Sequence, residues 1–351
     1  MSGEVAPVRS GEQLDREALR RYLLGKIEGA AHAVEIEQFP SGHSNLTYLL
    51  RAGGREYVLR RPPLGPVAPR AHDMAREFEV LRLVHPLFPL APEPLLLCED
   101  VAVIGATFYL MERCRGVVLR RDVPPELAHT SGLGRRVSDG FIRTLAALHA
   151  IPASALAIGR PEGFLERQVR GWAGRWQRAE TGDVPAIEAM DALFGWLIER
   201  MPRSGAPALV HNDYKLDNLM LDPADPGRVA AVLDWEMATV GDPLADLGCA
   251  LCYWPEAADP AARRSVLSPV TAGPGWRSRA QLAEAYATLT GRDVSGIVYY
   301  EVFGLFKLAV ILQQIYFRYR QGQTRDPRFG DFDQRVRGLV ESAVRLAEAA
   351  R

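Results

Sequence analysis

Apolar residues recur at helical spacing over residues 16–29, where Leu19, Tyr22, Leu23 and Ile27 share one stripe. Strand-like runs follow at 33–39, 46–52 and 56–60. The last two are joined by Gly53-Gly54, a pair that tolerates the positive φ of a tight hairpin. Residues 62–69 hold four prolines and one glycine and read as a loop. A helix is expected over 71–85, ended by Pro86, and further strands at 95–99 and 107–112. Beyond Gly116 the helical period dominates, at 138–150, 166–180, 186–201, 279–288, 296–320 and 332–350. Two short apolar strands, 208–210 and 229–233, interrupt this pattern, and each ends at a charged cluster. The expected architecture is α+β and bilobal: a small antiparallel sheet with one helix over 1–114, then a larger, mainly helical lobe over 115–351, with a cleft between.

At 351 residues the chain has room for two such lobes. Its 48% hydrophobic and 24% charged residues are ordinary globular values. With 42 basic against 43 acidic residues the net charge is −1, so no global field attracts nucleic acid. Only Lys26, Lys215 and Lys307 are lysines; the other basic residues are arginine. The N-terminal residues carry no apolar signal core, and the apolar run at 302–312 is interrupted by Lys307 and too short to span a bilayer. Four cysteines do not make a disulfide framework in a chain of this size. A cytoplasmic protein without membrane insertion is expected; the oligomeric state is not legible.

The chemistry concentrates at the ends of the two short strands. His211-Asn212-Asp213-Tyr214-Lys215-Leu216-Asp217-Asn218 reads H-x-D-x-x-x-x-N, and Val232-Leu233-Asp234-Trp235-Glu236 places a second aspartate after its own strand. This spacing suits phosphoryl transfer to a hydroxyl. One carboxylate, Asp213, orients or accepts the acceptor proton, while oxygen ligands from Asn218 and Asp234 hold Mg²⁺ against nucleotide phosphates. His211 reads as a structural residue of the loop. Lys215 reads either as a γ-phosphate contact, the preferred reading, or as a solvent-facing side chain. Glu236 is open between a further metal-shell ligand and a surface carboxylate. Cys249-x-x-Cys252 has no second pair, and its spacing beside Leu247 and Leu251 suits a buried helical face. His149 reads as a packing or capping residue at a helix end.

On these motifs the sequence resembles the aminoglycoside phosphotransferase-like (choline kinase-type) family over about residues 35–319. The run Gly241-Asp242-Pro243-Leu244-Ala245-Asp246-Leu247-Gly248 is similar to the segment that follows the metal aspartate there. Within the family, Val58-Leu59-Arg60-Arg61-Pro62-Pro63, Ala75-Arg76-Glu77-Phe78 and Phe108-Tyr109-Leu110-Met111-Glu112-Arg113 resemble the kinase-like domain fused to long acyl-CoA dehydrogenases. The resemblance implies that Asp246 braces the catalytic loop and that Ser41, Gly42, Ser44 and Asn45 cover the phosphates of ATP or GTP. It also implies that Met111, Glu112, Arg113 and Cys114 form the purine-binding hinge. The family's usual lysine on the third strand is matched here by Arg60, with Glu77 as its helix partner. Arginine remains cationic but is longer and planar, so the exchange is not conservative; a one-residue slip would put Arg61 there instead.

The expected partners are a nucleotide and a small hydroxyl acceptor. Trp172, Trp176, Trp254, Tyr299, Tyr300 and Phe303, mixed with arginines, suit an amphipathic or anionic acceptor such as a hydroxyacyl compound better than a polycation, although for most of them a place in the helical core is the preferred reading. The alternative reading is a catalytically weak nucleotide-binding scaffold of the same fold, supported only by Arg60. A protein kinase is disfavoured, because no A-P-E segment follows Asp234.

Overall fold

The computed structural model describes residues 4–40, 45–64, 72–182, 187–324 and 326–350. The chain divides into two units, Met1–Arg115 with Ala230–Glu236, and Gly116–Val229 with Met237–Arg351. The stretch Ala230–Glu236, read from sequence as part of the second lobe, therefore groups with the first unit.

The first unit starts with α1 (Arg16–Leu23), whose N-cap Asp15 accepts from the Ala18 amide at 2.9 Å. The helix is shorter than the apolar stripe because Gly25 (φ 74°) and Gly29 (φ 81°) adopt left-handed conformations. Next come β1 (Val34–Gln38), β2 (Leu46–Ala52), β3 (Arg55–Arg61), α2 (Met74–Val84), β4 (Pro94–Cys98) and β5 (Phe108–Glu112). They form one antiparallel sheet in the order β1-β2-β3-β5-β4. At the β2–β3 turn Ala52 pairs with Arg55, and Gly53 and Gly54 both take positive φ (54° and 80°). A Cβ on Gly29 would lie 2.2 Å from the Ala52 carbonyl oxygen, so a glycine there lets the α1–β1 connection lie against this turn. Leu19 and Leu23 of α1 join Tyr48, Leu50, Leu59 and Leu110 in the core of this unit. Burying each such leucine stabilises the fold by about 1.5–3 kcal/mol.

The remaining elements are α3 (Leu133–His149), α4 (Phe164–Arg178), α5 (Ile187–Glu199), β6 (Ala208–Val210), β7 (Leu219–Leu221), β8 (Val229–Val232), β9 (Thr239–Gly241), α6 (Pro243–Cys252), α7 (Ala261–Val266), α8 (Arg279–Thr290), α9 (Ile297–Arg320) and α10 (Phe332–Ala349). In the second unit, β6 pairs antiparallel with β9, Val210 opposite Thr239. Helix α9 is the spine of this unit, packed against α6 and α10. By length and composition it is apolar enough to cross a membrane, being longer than the 302–312 run read from sequence. Two-thirds of its most apolar window is buried inside the protein, and Lys307 and Gln313 lie in that interior, as suits a core helix. Helix α6 carries the buried helical face expected around Cys249 and Cys252 and begins earlier, at Pro243. Asp242 caps it by accepting from the Leu244 amide at 2.9 Å, with Pro243 in its first turn. Both Cys249 and Cys252 are buried on it, and burial pushes their thiols up to about 11 and about 12.

Candidate active site

In the second unit, strand β6 delivers the chain into the His211–Asn218 loop. Asn212 adopts φ 63°, a left-handed conformation that Asn tolerates better than most residues. Two backbone N–H groups hold it to Asp246 of α6: His211 N donates to Oδ2 at 2.6 Å and Asn212 N to Oδ1 at 2.8 Å. Behind Asp246, the His149 Nε2 lies 3.2 Å from Oδ2, and its Nδ1 lies 2.7 Å from the Tyr286 hydroxyl. Burial by itself would raise the Asp246 carboxyl; the His149 hydrogen bond and the nearby His149 and His211 outweigh it, leaving Asp246 below its ordinary value. Tyr214 secures the middle of the loop by donating to the Phe141 carbonyl at 2.8 Å. His211 is fully buried, and its Nδ1 accepts from the Asp213 amide at 3.3 Å, a structural role.

Three of the expected site residues meet here. Lys215 Nζ donates to both carboxylate oxygens of Asp213, at 2.9 and 2.7 Å. Asn218 Nδ2 donates to Asp213 Oδ2 at 2.9 Å and to the Asp213 carbonyl at 2.8 Å, which turns the Asn218 amide oxygen away from Asp213. Lys215 therefore does not extend into solvent as a lone cation.

In the first unit, Arg60 projects from β3 to bridge two carboxylates. Its Nη1 lies 3.1 Å from Glu77 Oε1 on α2, and its Nη2 donates to Asp234 Oδ1 at 2.6 Å. Arg61 instead donates to the Ile104 carbonyl at 3.0 Å, so it is Arg60 that pairs with Glu77. Burial opposes the Arg60 charge, but Glu77 and Asp234 outweigh it and raise its pKa further. Burial also pushes the Glu77 carboxyl up to about 7, against the pull of Arg60. Asp234 sits at φ 68°, a strained conformation for a non-glycine residue. It is held in place by its neighbours: Val232 N donates to the Leu90 carbonyl at 2.7 Å, and Trp235 packs edge-on against Phe88 at 6.0 Å.

Glu236 also has a partner within this unit, since Asn45 Nδ2 donates to its Oε2 at 3.0 Å. Asn45 Oδ1 lies 2.8 Å from His72 Nδ1, and Arg76 donates to the Glu236 carbonyl. Sequence reasoning quoted Arg76 only as part of a motif and passed over His72; its left-handed φ of 58° leaves no pattern in the chain. Ser41, Gly42 and Ser44 lie outside the described residues. Met111 and Glu112 end β5, where Glu112 N donates to the Glu93 carbonyl at 2.9 Å. Arg113 follows, 2.7 Å from Glu4, and burial pushes the Cys114 thiol up to about 12. Among the described residues, the backbone groups of Arg113 and Cys114 make no backbone hydrogen bond.

Among the described residues no cluster of three or more His, Cys, Asp or Glu side chains could cage a metal ion. Mg²⁺ is commonly held by one or two protein oxygens, with phosphate and water completing its shell, and the Asn218 amide and Asp234 carboxylate are hard oxygen donors of that kind.

The sheet order, the strand-borne cation with its helix glutamate, and the Asp213 loop after β6 define a protein-kinase-like α+β fold. Residues 35–282 match the phosphotransferase enzyme family, and the chain belongs to it, as its motifs suggested. It is 34% identical to acyl-CoA dehydrogenase family member 11 of Gallus gallus over 97% of its own length, but spans only 44% of that relative. A Ralstonia eutropha protein assigned as an aminoglycoside phosphotransferase is 33% identical, with a TM-score of 0.78 over 96% of this chain and 99% of that one. A thermostable variant of aminoglycoside phosphotransferase APH(4)-Ia, solved with ADP and hygromycin B, shares the fold. Its TM-score is 0.60 at 21% identity, over 94% of this chain and 98% of that one.

Proposed function

We propose that this chain is a Mg²⁺-dependent kinase that moves the γ-phosphoryl group of ATP or GTP to a hydroxyl of a small molecule. The observation that carries the reading is Asp213, whose carboxylate is held by Lys215 and Asn218 on a loop braced by Asp246. Asp213 orients the acceptor hydroxyl for in-line attack and receives its proton. Lys215 restrains that carboxylate and presents positive charge toward the transferred phosphoryl group. Arg60 grips the α/β-phosphates, which its fork geometry suits. The purine is read against the backbone of residues 111–114. Mg²⁺, when bound, would be held by Asn218 and Asp234 and would neutralise charge on the phosphate oxygens. Family membership and the ADP complex of APH(4)-Ia support nucleotide use.

The acceptor is proposed to be a hydroxyacyl compound. The aromatic residues named from sequence do not carry this: Trp172, Trp176, Trp254, Tyr299, Tyr300 and Phe303 are all buried as core. Tyr299 donates to the Leu197 carbonyl and Tyr300 to Asp242. Support comes instead from the likeness to an acyl-CoA dehydrogenase family member. The test is calorimetric titration of ATP and GTP, with and without Mg²⁺, into wild type and Asp234→Ala, followed by an acceptor screen. Metal-dependent binding that is lost in Asp234→Ala, together with Asp213→Asn binding nucleotide but turning over at least ~100-fold more slowly, is the expected result. Unchanged turnover in Asp213→Asn would sink the assignment.

A further inference from the structure

We propose that Lys307 is a positioning residue for Asp213: its buried ammonium fixes the Asn212 carbonyl and thereby the peptide plane that carries the Asp213 amide. The inference rests on the role given above to Asp213.

Lysine is rare in this chain, three of 42 basic residues, and two of the three meet the same loop. Lys26 lies over the Tyr22 ring, 3.3 Å from its centroid. Lys215 grips the Asp213 carboxylate, and Lys307 donates to the Asn212 carbonyl. Lys307 is only 5% exposed and lies 5.4 Å from the centroid of the Trp172 ring. Among the described residues no carboxylate comes within ion-pair distance of it. A buried ammonium without a counter-charge is costly to keep, so a solvation or pairing motive does not account for it.

Its placement is built into the helix crossing. Gly248 of α6 and Gly304 of α9 let the two backbones touch: a Cβ on Gly248 would lie 2.4 Å from the Tyr300 carbonyl carbon, and one on Gly304 2.9 Å from the Gly248 oxygen. Lys307 lies one turn beyond Gly304, on the same stripe of α9. The close crossing brings that stripe to the loop at the end of β6.

The peptide plane explains what the contact does. The Asn212 carbonyl and the Asp213 N–H belong to one planar unit and point to opposite sides of it. Lys307 holds the carbonyl edge, and His211 Nδ1 accepts from the N–H edge at 3.3 Å. Asp246 and the Met237 carbonyl hold the other groups of Asn212, its amide N–H at 2.8 Å and its side-chain nitrogen at 3.0 Å. Among the described residues, Lys307 is the side chain that grips the Asn212 carbonyl, on the side that leads to Asp213. Because Asn212 sits in a disfavoured left-handed conformation, a plane held only at its N–H edge, by the long His211 contact, can tilt, and a catalytic group displaced by about 1 Å loses roughly 100-fold in rate.

The experiment compares Lys307→Met and Lys307→Arg with wild type in two readouts. Hydrogen exchange across 210–219 needs no substrate; steady-state Mg²⁺-dependent hydrolysis of ATP and of GTP uses water as the acceptor. In Lys307→Met, exchange should rise in 211–216 and not along α9. For the hydrolysed nucleotide, kcat should fall roughly 10- to 100-fold with KM changed less than about threefold. Lys307→Arg should recover most of both. Unaltered exchange in 211–216, a rise spread evenly over the second unit, or unchanged kcat in Lys307→Met would overturn the proposal. A wild type that binds and hydrolyses neither nucleotide would overturn the kinase reading instead, and the exchange experiment alone would then decide the role of Lys307.

Discussion

The Arg60 guanidinium reaches Asp234 at 2.6 Å and Glu77 at 3.1 Å, so one cation balances two carboxylates 174 and 17 residues away in a single unit. Among the described residues, its Nε and the Glu77 Oε2 have no hydrogen-bond partner. Arg60→Ala removes the charge that faces Glu77 and Asp234 and should cost about 3–5 kcal/mol. Arg60→Lys keeps a charge but not the fork, and should cost less. Urea unfolding of both variants checks this; equal losses would mean that the bridge geometry does not matter.

Asn218 restrains the Asp213 carboxylate through its amide nitrogen and turns its oxygen outward. Asn218→Asp replaces that donor by a second carboxylate facing the first. Turnover should fall at least ~100-fold, and higher Mg²⁺ should restore only part of it. A full rescue by Mg²⁺ would show that Asn218 acts on the metal alone.

Asp246 gives the acid limb of stability a defined sign. Its folded pKa lies below the ordinary aspartate value, so its contribution is fully present above that ordinary value and is lost as pH falls through the lowered one. Asp246→Asn should cost about 2–4 kcal/mol at neutral pH, because two buried N–H groups lose a charged acceptor. It should also flatten the fall in stability below about pH 4, the ordinary aspartate value. Urea midpoints measured across that range in both proteins decide the matter, and parallel curves would rule out this origin.

The α6–α9 crossing has no room for a side chain at Gly248, where a Cβ would meet the Tyr300 backbone. Gly248→Ala should destabilise the protein by about 1–3 kcal/mol through overpacking. Thermal unfolding measures this, and an unchanged midpoint would contradict the close approach.

How much of this could be read from the chain depended on distance along it. The β2–β3 hairpin was legible because Gly53-Gly54 and the flanking alternation act locally. The loop from His211 to Asn218 was legible because its groups lie within a few residues of one another. Helix α1 was overshot because its apolar stripe runs on past the left-handed Gly25 to Ile27. Helix α6 was legible only in its second half, where Leu247, Cys249, Leu251 and Cys252 share a buried helical face; its first turn was read as a motif. The contacts least accessible to pattern reading are the long ones: Lys307 to Asn212 across 95 residues, and Asn45 to Glu236 across 191. Neither has a periodic signature, and the apolar run around Lys307 made it read as an interruption rather than an anchor.

The assignment of Ala230–Glu236 to the first unit orders events during synthesis. The five strands of that unit emerge early, yet Arg60 gains its second carboxylate only after helices α3–α5 have been made. Until then the nascent sheet carries the Leu90 carbonyl without the Val232 amide and the Phe88 ring without Trp235. A ribosome stalled before β8 would thus present an unfinished first unit to chaperones, and a fragment cut after Arg115 would inherit the same gap.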